Sequence, residues 1–315
     1  MLQKKAKITI VGAGSIGSTI LYTLMLKNLA SKIVLVNRDK AKAHAKAYDI
    51  SHCIGNSYNA EITSGDYEQS ENSDLVIITA GVLPDENGTR MDVLKSNIKI
   101  YKNIIPEVVK YSPNCILLIV TNPVDVMAYA AWRISGFDSS KVIGTGTLLD
   151  TMRLKKFLGQ EFKTNPLNVD TLIIGEHGDT QLPVWSSTKI EGKCIEEYLD
   201  QDIKNTLEHR TKRAGWDIRI ANEHSCYAIA FSAVSIVESI FEKSNKSLPV
   251  SILLSGQYNI KGVFLSLPAE LNTKGVKSII QPELNDLELN RLKNSAEVLS
   301  GYIAEADKYI YERQK

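Results

Sequence analysis

Apolar positions in the first half of the chain fall into short, β-branched runs: Lys7–Val11, Ile33–Val36, Leu75–Thr79, Ile116–Thr121 and Val142–Ile143. Runs of this length, bounded by Gly, Asn or Pro, predict strands buried on both faces. Between them lie stretches with helical spacing and good helix formers: Ser15–Met25, Ala41–Asp49 and Met91–Lys110. Strand and helix in alternation predict an α/β fold, a doubly wound parallel sheet of the Rossmann kind. The rhythm changes near Gly144-Thr145-Gly146. Beyond it the pattern predicts a helix over Leu148–Leu158, a strand over Val169–Ile174 and a hairpin around Glu191-Gly192-Lys193. Helices over Asp202–Gly215 and Asn222–Phe241 follow, then strands at Val250–Leu254 and Val263–Leu267 and a long amphipathic helix from about Asn285. The expectation is a dinucleotide-binding domain over 1–145 and an α+β substrate domain over 146–315, with no Pro/Ser-rich linker between them.

Composition narrows the function classes. Lysine and arginine number 37 against 36 acidic residues, a net charge of +1, so no nucleic-acid or acidic-membrane partner is expected. The basic N-terminus is followed by an apolar run that stops at Gly12, which is no secretory signal. The longest uninterrupted apolar stretch, Cys115 to Val120, is far short of the ~20 residues of a membrane helix. Cys53, Cys115, Cys194 and Cys226 lie scattered without Cys-x-x-Cys spacing, which fits neither a zinc site nor a disulfide framework, and no metal is expected. A cytoplasmic protein is the expectation.

Val11-Gly12-Ala13-Gly14-Ser15-Ile16-Gly17 follows the first predicted strand and opens a helix. In such a turn Gly12 allows the tight bend, Gly14 lets backbone N–H groups of the Ser15 region approach a pyrophosphate, and Gly17 allows helix and strand to pack closely. The strand–turn–helix setting makes this a dinucleotide site rather than an ordinary glycine-rich turn. An acidic residue about twenty positions past the glycines normally bonds the adenosine 2′-OH. Asn37 stands there, followed by Arg38. Asparagine still bonds a hydroxyl but carries no charge to repel a 2′-phosphate. NAD(H) is therefore favoured, with NADP(H) as an alternative.

Three further segments place polar residues where a purely structural chain would not. Gly175-Glu176-His177-Gly178-Asp179 sets a histidine between glycines at a predicted strand end. Asp150 and Arg153 stand at i and i+3 on an otherwise apolar helix, so both project from one face, which points to a cleft lining more than to a surface ion pair. Thr121-Asn122-Pro123-Val124-Asp125 ends a strand and puts Asn122 at the carboxyl edge, where ligands of such sheets bind.

With these motifs together, the chain resembles the L-lactate/malate dehydrogenase family over essentially its full length. It is most similar to the L-lactate and L-2-hydroxyisocaproate dehydrogenase side. Carrying the resemblance are Gly12–Gly17, Thr79-Ala80-Gly81, Thr89-Arg90, Val120-Thr121-Asn122-Pro123, Ile143-Gly144-Thr145, Asp150-Thr151-Met152-Arg153 and Gly175–Asp179. The resemblance implies reversible hydride transfer between a nicotinamide and a 2-oxo acid/L-2-hydroxy acid pair, pyruvate/lactate or a longer aliphatic analogue. It implies that His177 is the general acid and base, that Asp150 orients its ring, and that Arg153 clamps the substrate carboxylate. Arg90 would ride a closing loop and polarise the carbonyl, and Asn122 would bond the reacting oxygen or the nicotinamide amide. Ile16, Tyr67, Ala80, Gly81, Val120 and Thr145 match positions lining the cofactor groove. A homo-oligomer, dimer or tetramer, and a cis Asn122–Pro123 bond are also implied.

The sequence departs from the family in three places. Pro84 occupies the position that is Gln in lactate and Arg in malate enzymes. Asn222-Glu223-His224-Ser225 replaces Lys-Gly-Ala-Thr, so Ser225 stands in for a substrate-lining threonine. Asn37 is the third. The alternatives are a malate dehydrogenase and a non-catalytic dinucleotide-binding protein, which would not need His177, Asp150 and Arg153 together. An NAD-dependent glycosidase on a related fold is a further rival, but it usually wants a metal cluster.

Overall fold

A computed structural model of the chain describes residues 6–54, 60–82, 90–222, 225–242 and 246–312. Pro84 and Glu223-His224 lie outside the described residues, as do the side chains of Arg90 and Asn222.

The first half alternates as the apolar pattern predicts. Strand β1 (Ala6–Val11) leads to α1 (Ser15–Lys27), β2 (Ala30–Val36) to α2 (Lys40–Ser51), and then come β3 (Glu61–Gly65) and β4 (Leu75–Ile78). Next are α3 (Arg90–Tyr111), β5 (Ile116–Ile119), α4 (Val124–Ser135) and β6 (Val142–Gly144). All pairings among these strands are parallel, in the order β6-β5-β4-β1-β2-β3, with the reversal between β1 and β4. Leu-Val-Ile-Ile in β4 and Ile-Leu-Leu-Ile in β5 are buried at every position, because helices cover both faces of the sheet. Ligands of such sheets sit at the carboxyl ends beside that reversal. The Asn122–Pro123 peptide, between β5 and α4, is cis.

The second half begins with α5 (Leu148–Glu161), followed by β7 (Val169–Asp170), β8 (Ile173–Ile174), β9 (Leu182–Pro183), β10 (Lys189–Ile190) and β11 (Lys193–Cys194). Then come α6 (Gln201–Asn222), α7 (Tyr227–Phe241), β12 (Leu248–Ser255), β13 (Lys261–Asn272), β14 (Gly275–Ile279) and α8 (Asp286–Tyr311). The last three strands are antiparallel and extend the first sheet past β6, through the pairing of Ser251 with Gly144. Sheet and main apolar cluster therefore run across residue 145 without a break. A second, smaller cluster (Leu154, Leu158, Val169, Ile173, Trp185, Ile190) lies between α5 and the short strands.

Several elements differ from expectation. The single strand expected over Val169–Ile174 is two, β7 pairing with β10 and β8 with β9. Val169 and Ile173 pack in the small cluster while Ile174 packs in the large one, so the segment has two cores to serve. The helix expected to stop at Gly215 runs on to Asn222, and the next begins only at Tyr227. Gly215 is no terminator: a Cβ there would come within 3.3 Å of the Arg153 guanidinium, so the glycine makes room for that side chain. The edge strands β3 and β14 were not expected, because Glu-Ile-Thr-Ser-Gly and Gly-Val-Lys-Ser-Ile lack a buried apolar run.

Candidate active site

The turn from β1 into α1 is shaped by its glycines. Gly12 has φ +119°, and a Cβ on it would lie 2.5 Å from Thr79 Oγ1. A Cβ on Gly17 would lie 1.9 Å from the Gly12 carbonyl oxygen, so strand, turn and helix can approach this closely only without side chains. At Gly14 a Cβ would meet open space among the described residues. Gly14 is also the N-cap of α1; it offers no side-chain cap, and the first turn carries no acidic residue. The unpaired N–H groups and the positive end of the helix dipole thus face a free volume, the cradle that a pyrophosphate fits. A cavity of about 400 Å³ adjoins it, lined by Ala13, Gly14 and Ser15 and by the lysines Lys42 and Lys46 of α2.

Asn37 closes β2 beside this cradle. Its Oδ1 accepts from the Ala13 N–H at 3.2 Å and its Nδ2 donates to the Asp39 carbonyl at 3.1 Å, so the side chain ties the second strand to the glycine turn. Arg38 beside it is exposed. Tyr67 follows β3, half-buried, its phenol pushed up to about 12 by burial. On the other side of the strand reversal, Ala80 N–H bonds the Val11 carbonyl, and Gly81 follows it, exposed. Val120 and Thr145 extend β5 and β6 at the same carboxyl edge, and Ile16 packs half-buried from α1.

Asn122 presents an exposed side chain at that edge. Its backbone carbonyl accepts from Asn97 Nδ2 at 2.8 Å, while Asn97 Oδ1 accepts from the Val82 N–H at 2.7 Å. Asn97 is buried on α3, the helix that Arg90 opens, and so links the chain after β4 to the chain after β5.

A second cluster of ionisable side chains is built from α5 and the loop after β8. Asp150, in the first turn of α5, is buried; its Oδ1 accepts from Arg153 Nη1 at 3.1 Å and its Oδ2 lies 2.5 Å from His177 Nδ1. The His177 side chain is 24 % exposed and Arg153 14 %, so both face a partly open space while the carboxylate between them is shut away. Burial works against a charged imidazole, and the Asp150 carboxylate outweighs it, so the His177 pKa is raised. Burial also opposes ionisation of Asp150, but His177 and Arg153 together hold its carboxyl below the usual value. With Nδ1 engaged by Asp150, Nε2 is the nitrogen free to exchange a proton with a ligand. Gly175, at φ +90°, brings the loop so close to α8 that a Cβ would lie 2.9 Å from Ser295 Oγ. That hydroxyl accepts from the Glu176 N–H at 2.8 Å.

Known proteins match this geometry. A family model described as lactate/malate dehydrogenase, NAD binding domain, matches residues 6–144, and one described as lactate/malate dehydrogenase, alpha/beta C-terminal domain, matches residues 147–309. The chain belongs to the lactate/malate dehydrogenase family. It is 43% identical over 312 residues to an L-lactate dehydrogenase of Clostridium perfringens, covering 97% of this chain and 98% of that protein. With an L-lactate dehydrogenase 1 of Clostridium acetobutylicum the identity is 42% over 305 residues, 95% of this chain and 97% of the other. Among solved structures, a lactate dehydrogenase from a Medee basin deep-sea metagenome superimposes with a TM-score of 0.92 at 33% identity, covering 97% of this chain and all (100%) of that one. A minor L-lactate dehydrogenase from Enterococcus mundtii, in a ligand-bound form, gives 0.91 at 32%, covering 98% of this chain and 100% of that one. Members of this family carry an NAD-binding domain, and here it is the parallel half of the sheet.

The family member's candidate residues fall into two groups. Gly12, Gly14, Ser15, Gly17, Asn37, Ala80, Gly81, Val120, Asn122 and Thr145 cluster along the carboxyl edge of the parallel strands, while Asp150 contacts both Arg153 and His177. Ser225 lies half-buried in the link between α6 and α7, and its neighbours Cys226 and Tyr227 line the cavity at the glycine turn. Pro84 and the Arg90 side chain are not placed. The sequence alone gives no role to Gly215, Asn97, Ser295 or Asp125; for Asp125 the available signal is a charged residue flanked by Val124 and Val126 on an apolar helix.

Proposed function

We propose that the protein is an L-2-hydroxy acid dehydrogenase of the lactate type, a cytoplasmic homo-oligomer that interconverts a monocarboxylic 2-oxo acid and its L-2-hydroxy acid. The observation that carries this reading is the buried Asp150 carboxylate, which joins His177 and Arg153 in one cluster. Residues 1–145 hold the dinucleotide and 146–315 supply the acid–base and carboxylate-binding groups. A nicotinamide, when bound, supplies or accepts the hydride at C2 of the substrate. His177 Nε2 gives a proton to the substrate carbonyl oxygen in reduction and takes it from the hydroxyl in oxidation. Asp150 holds the ring in one tautomer and stabilises its cation. Arg153 grips the substrate carboxylate with its planar fork, which fixes C2 in place. Arg90 closes over the carbonyl, and Asn122 bonds the reacting oxygen or the carboxamide. Pro84 holds the family position that discriminates among substrates, and Ser225 stands in for a substrate-lining threonine. Among the described residues no helix is long and apolar enough to cross a membrane. Exposed apolar side chains on α1 (Tyr22, Leu26) and on α7 (Tyr227, Phe231), two helices that pack together, support self-association.

The substrate test follows from Pro84. A second carboxylate, as in oxaloacetate, wants a cationic partner, and burying it unpaired is costly. The expected result is a kcat/KM for oxaloacetate below that for pyruvate or a longer aliphatic 2-oxo acid, measured in one panel. Oxaloacetate at the top of the panel would make the protein a malate enzyme instead.

The cofactor test follows from Asn37. We propose that NAD(H) is preferred and NADP(H) tolerated, since residue 37 offers no negative charge to a 2′-phosphate and Arg38 stands free of β2 at the surface. Asn37→Asp is expected to worsen NADPH relative to NADH by about 10–100-fold in kcat/KM, from like-charge repulsion. An unchanged NADH/NADPH ratio would show that residue 37 does not govern the choice.

A further inference from the structure

Asp125 is a carboxylate that the reaction above does not use. It stands in the first turn of α4, a helix buried from Val124 through Ala131, and is only 2 % exposed. Its Oδ2 accepts from the His177 backbone N–H at 2.8 Å. Its Oδ1 and the hydroxyl of Ser251 on β12 are both buried, and neither makes a hydrogen bond of normal geometry among the described residues, although the two groups lie near each other. The Ser251 side chain faces the carboxyl and acts to keep it ionised. Ser251 reaches this point because its pairing partner is Gly144, where a Cβ would lie 2.8 Å from that of Ser251.

A buried carboxylate is expensive, and an asparagine would make the same bond to His177 N–H without the charge. The charge therefore needs a use, and the neighbour it acts on is His177. We propose that Asp125 is a positioning residue that acts through His177, holding its backbone from α4 while Asp150 holds its ring from α5. The inference rests on His177 being the proton donor of the proposed reaction. His177 thus stands between two carboxylates, Asp150 and Asp125, and one cation, Arg153; Asp125 in turn faces His177 and Glu176. The Asp125 charge raises the proton affinity of His177, while Arg153 lowers it. Burial pushes the Asp125 carboxyl itself up to about 6, so its charge is present near neutral pH and fades in mild acid.

Three variants of the full chain test this by the pH profile of 2-oxo acid reduction, together with kcat and KM. Asp125→Ala removes acceptor and charge, and is expected to lower kcat about 10–100-fold while KM for the dinucleotide stays at the parental value. Asp125→Asn restores an acceptor for the His177 N–H and is expected to recover most of that turnover. Its alkaline limb, where the His177 proton is lost, should still move to lower pH by roughly 0.5–1 unit. Ser251→Ala leaves the carboxylate without its facing hydroxyl and should shift the limb the same way by less. If Asp125→Ala does not fold, the Asn and Ser251 variants decide. Parental turnover in Asp125→Ala, or an Asp125→Asn profile that coincides with the parent's, overturns the proposal. Full turnover in His177→Asn would instead overturn the reading on which it rests.

Discussion

Replacing His177 by Asn is expected to lower kcat for 2-oxo acid reduction by about 10²–10⁴-fold, the usual cost of a missing positioned acid. Dinucleotide affinity, followed by NADH fluorescence, should remain close to the parental value, because the cradle is built from β1, α1 and β2 while His177 stands in the loop after β8. The parent's pH dependence carries the sign. Reduction needs the protonated ring, whose pKa is raised above the ordinary histidine value by Asp150. The competent form is therefore complete below the ordinary value near 6.5 and is lost only as pH rises through the raised one. Oxidation of the hydroxy acid needs the neutral ring and should rise over that same interval. A His177→Asn enzyme with parental kcat would remove histidine from the mechanism.

Arg153→Lys is expected to reduce kcat/KM for the 2-oxo acid by about 10²-fold, with both constants affected, although the charge is kept. The lysine ammonium cannot reproduce a two-point grip on a carboxylate, and a misplacement of about 1 Å costs roughly that much in rate. Arg153 also donates to Asp150 at 3.1 Å, so its loss leaves a buried carboxylate with His177 as its remaining cationic partner. Arg153→Leu should for that reason be worse, by roughly 2–5 kcal/mol in kcat/KM, the range for truncating one member of a buried charged pair. Steady-state kinetics with a carboxylate substrate and with its amide separate the two effects. Equal losses on both substrates would mean that Arg153 supports Asp150 and does not hold the carboxylate.

Much of the chemistry is local, and that is why it was readable. A glycine turn between strand and helix needs only Gly12, Gly14 and Gly17 at their spacing, and the i, i+3 offset alone puts Asp150 and Arg153 on one face of α5. The parallel strands were legible for a similar reason: burial on both faces leaves continuous β-branched runs that need no partner to be recognised. Edge strands such as β3 carry no such run, and their pairing comes from a neighbour rather than from their own pattern.

What only the tertiary structure decided are the relations between distant segments. Sequence determined which residue types could move a proton, grip a carboxylate or cradle a phosphate, because those capacities belong to single side chains and short turns. Local pattern did not determine that Asp150 meets His177 across 27 positions, which only the family resemblance implied, and nothing in the sequence pointed to Asp125 meeting the His177 backbone across 52. Those contacts depend on where β8 emerges relative to α4 and α5, which the continuous sheet and its shared core set. Gly215 shows the same limit from the other direction. Read locally it ends a helix; in the folded chain it sits mid-helix with the Arg153 guanidinium packed close over it, an approach that no local pattern records.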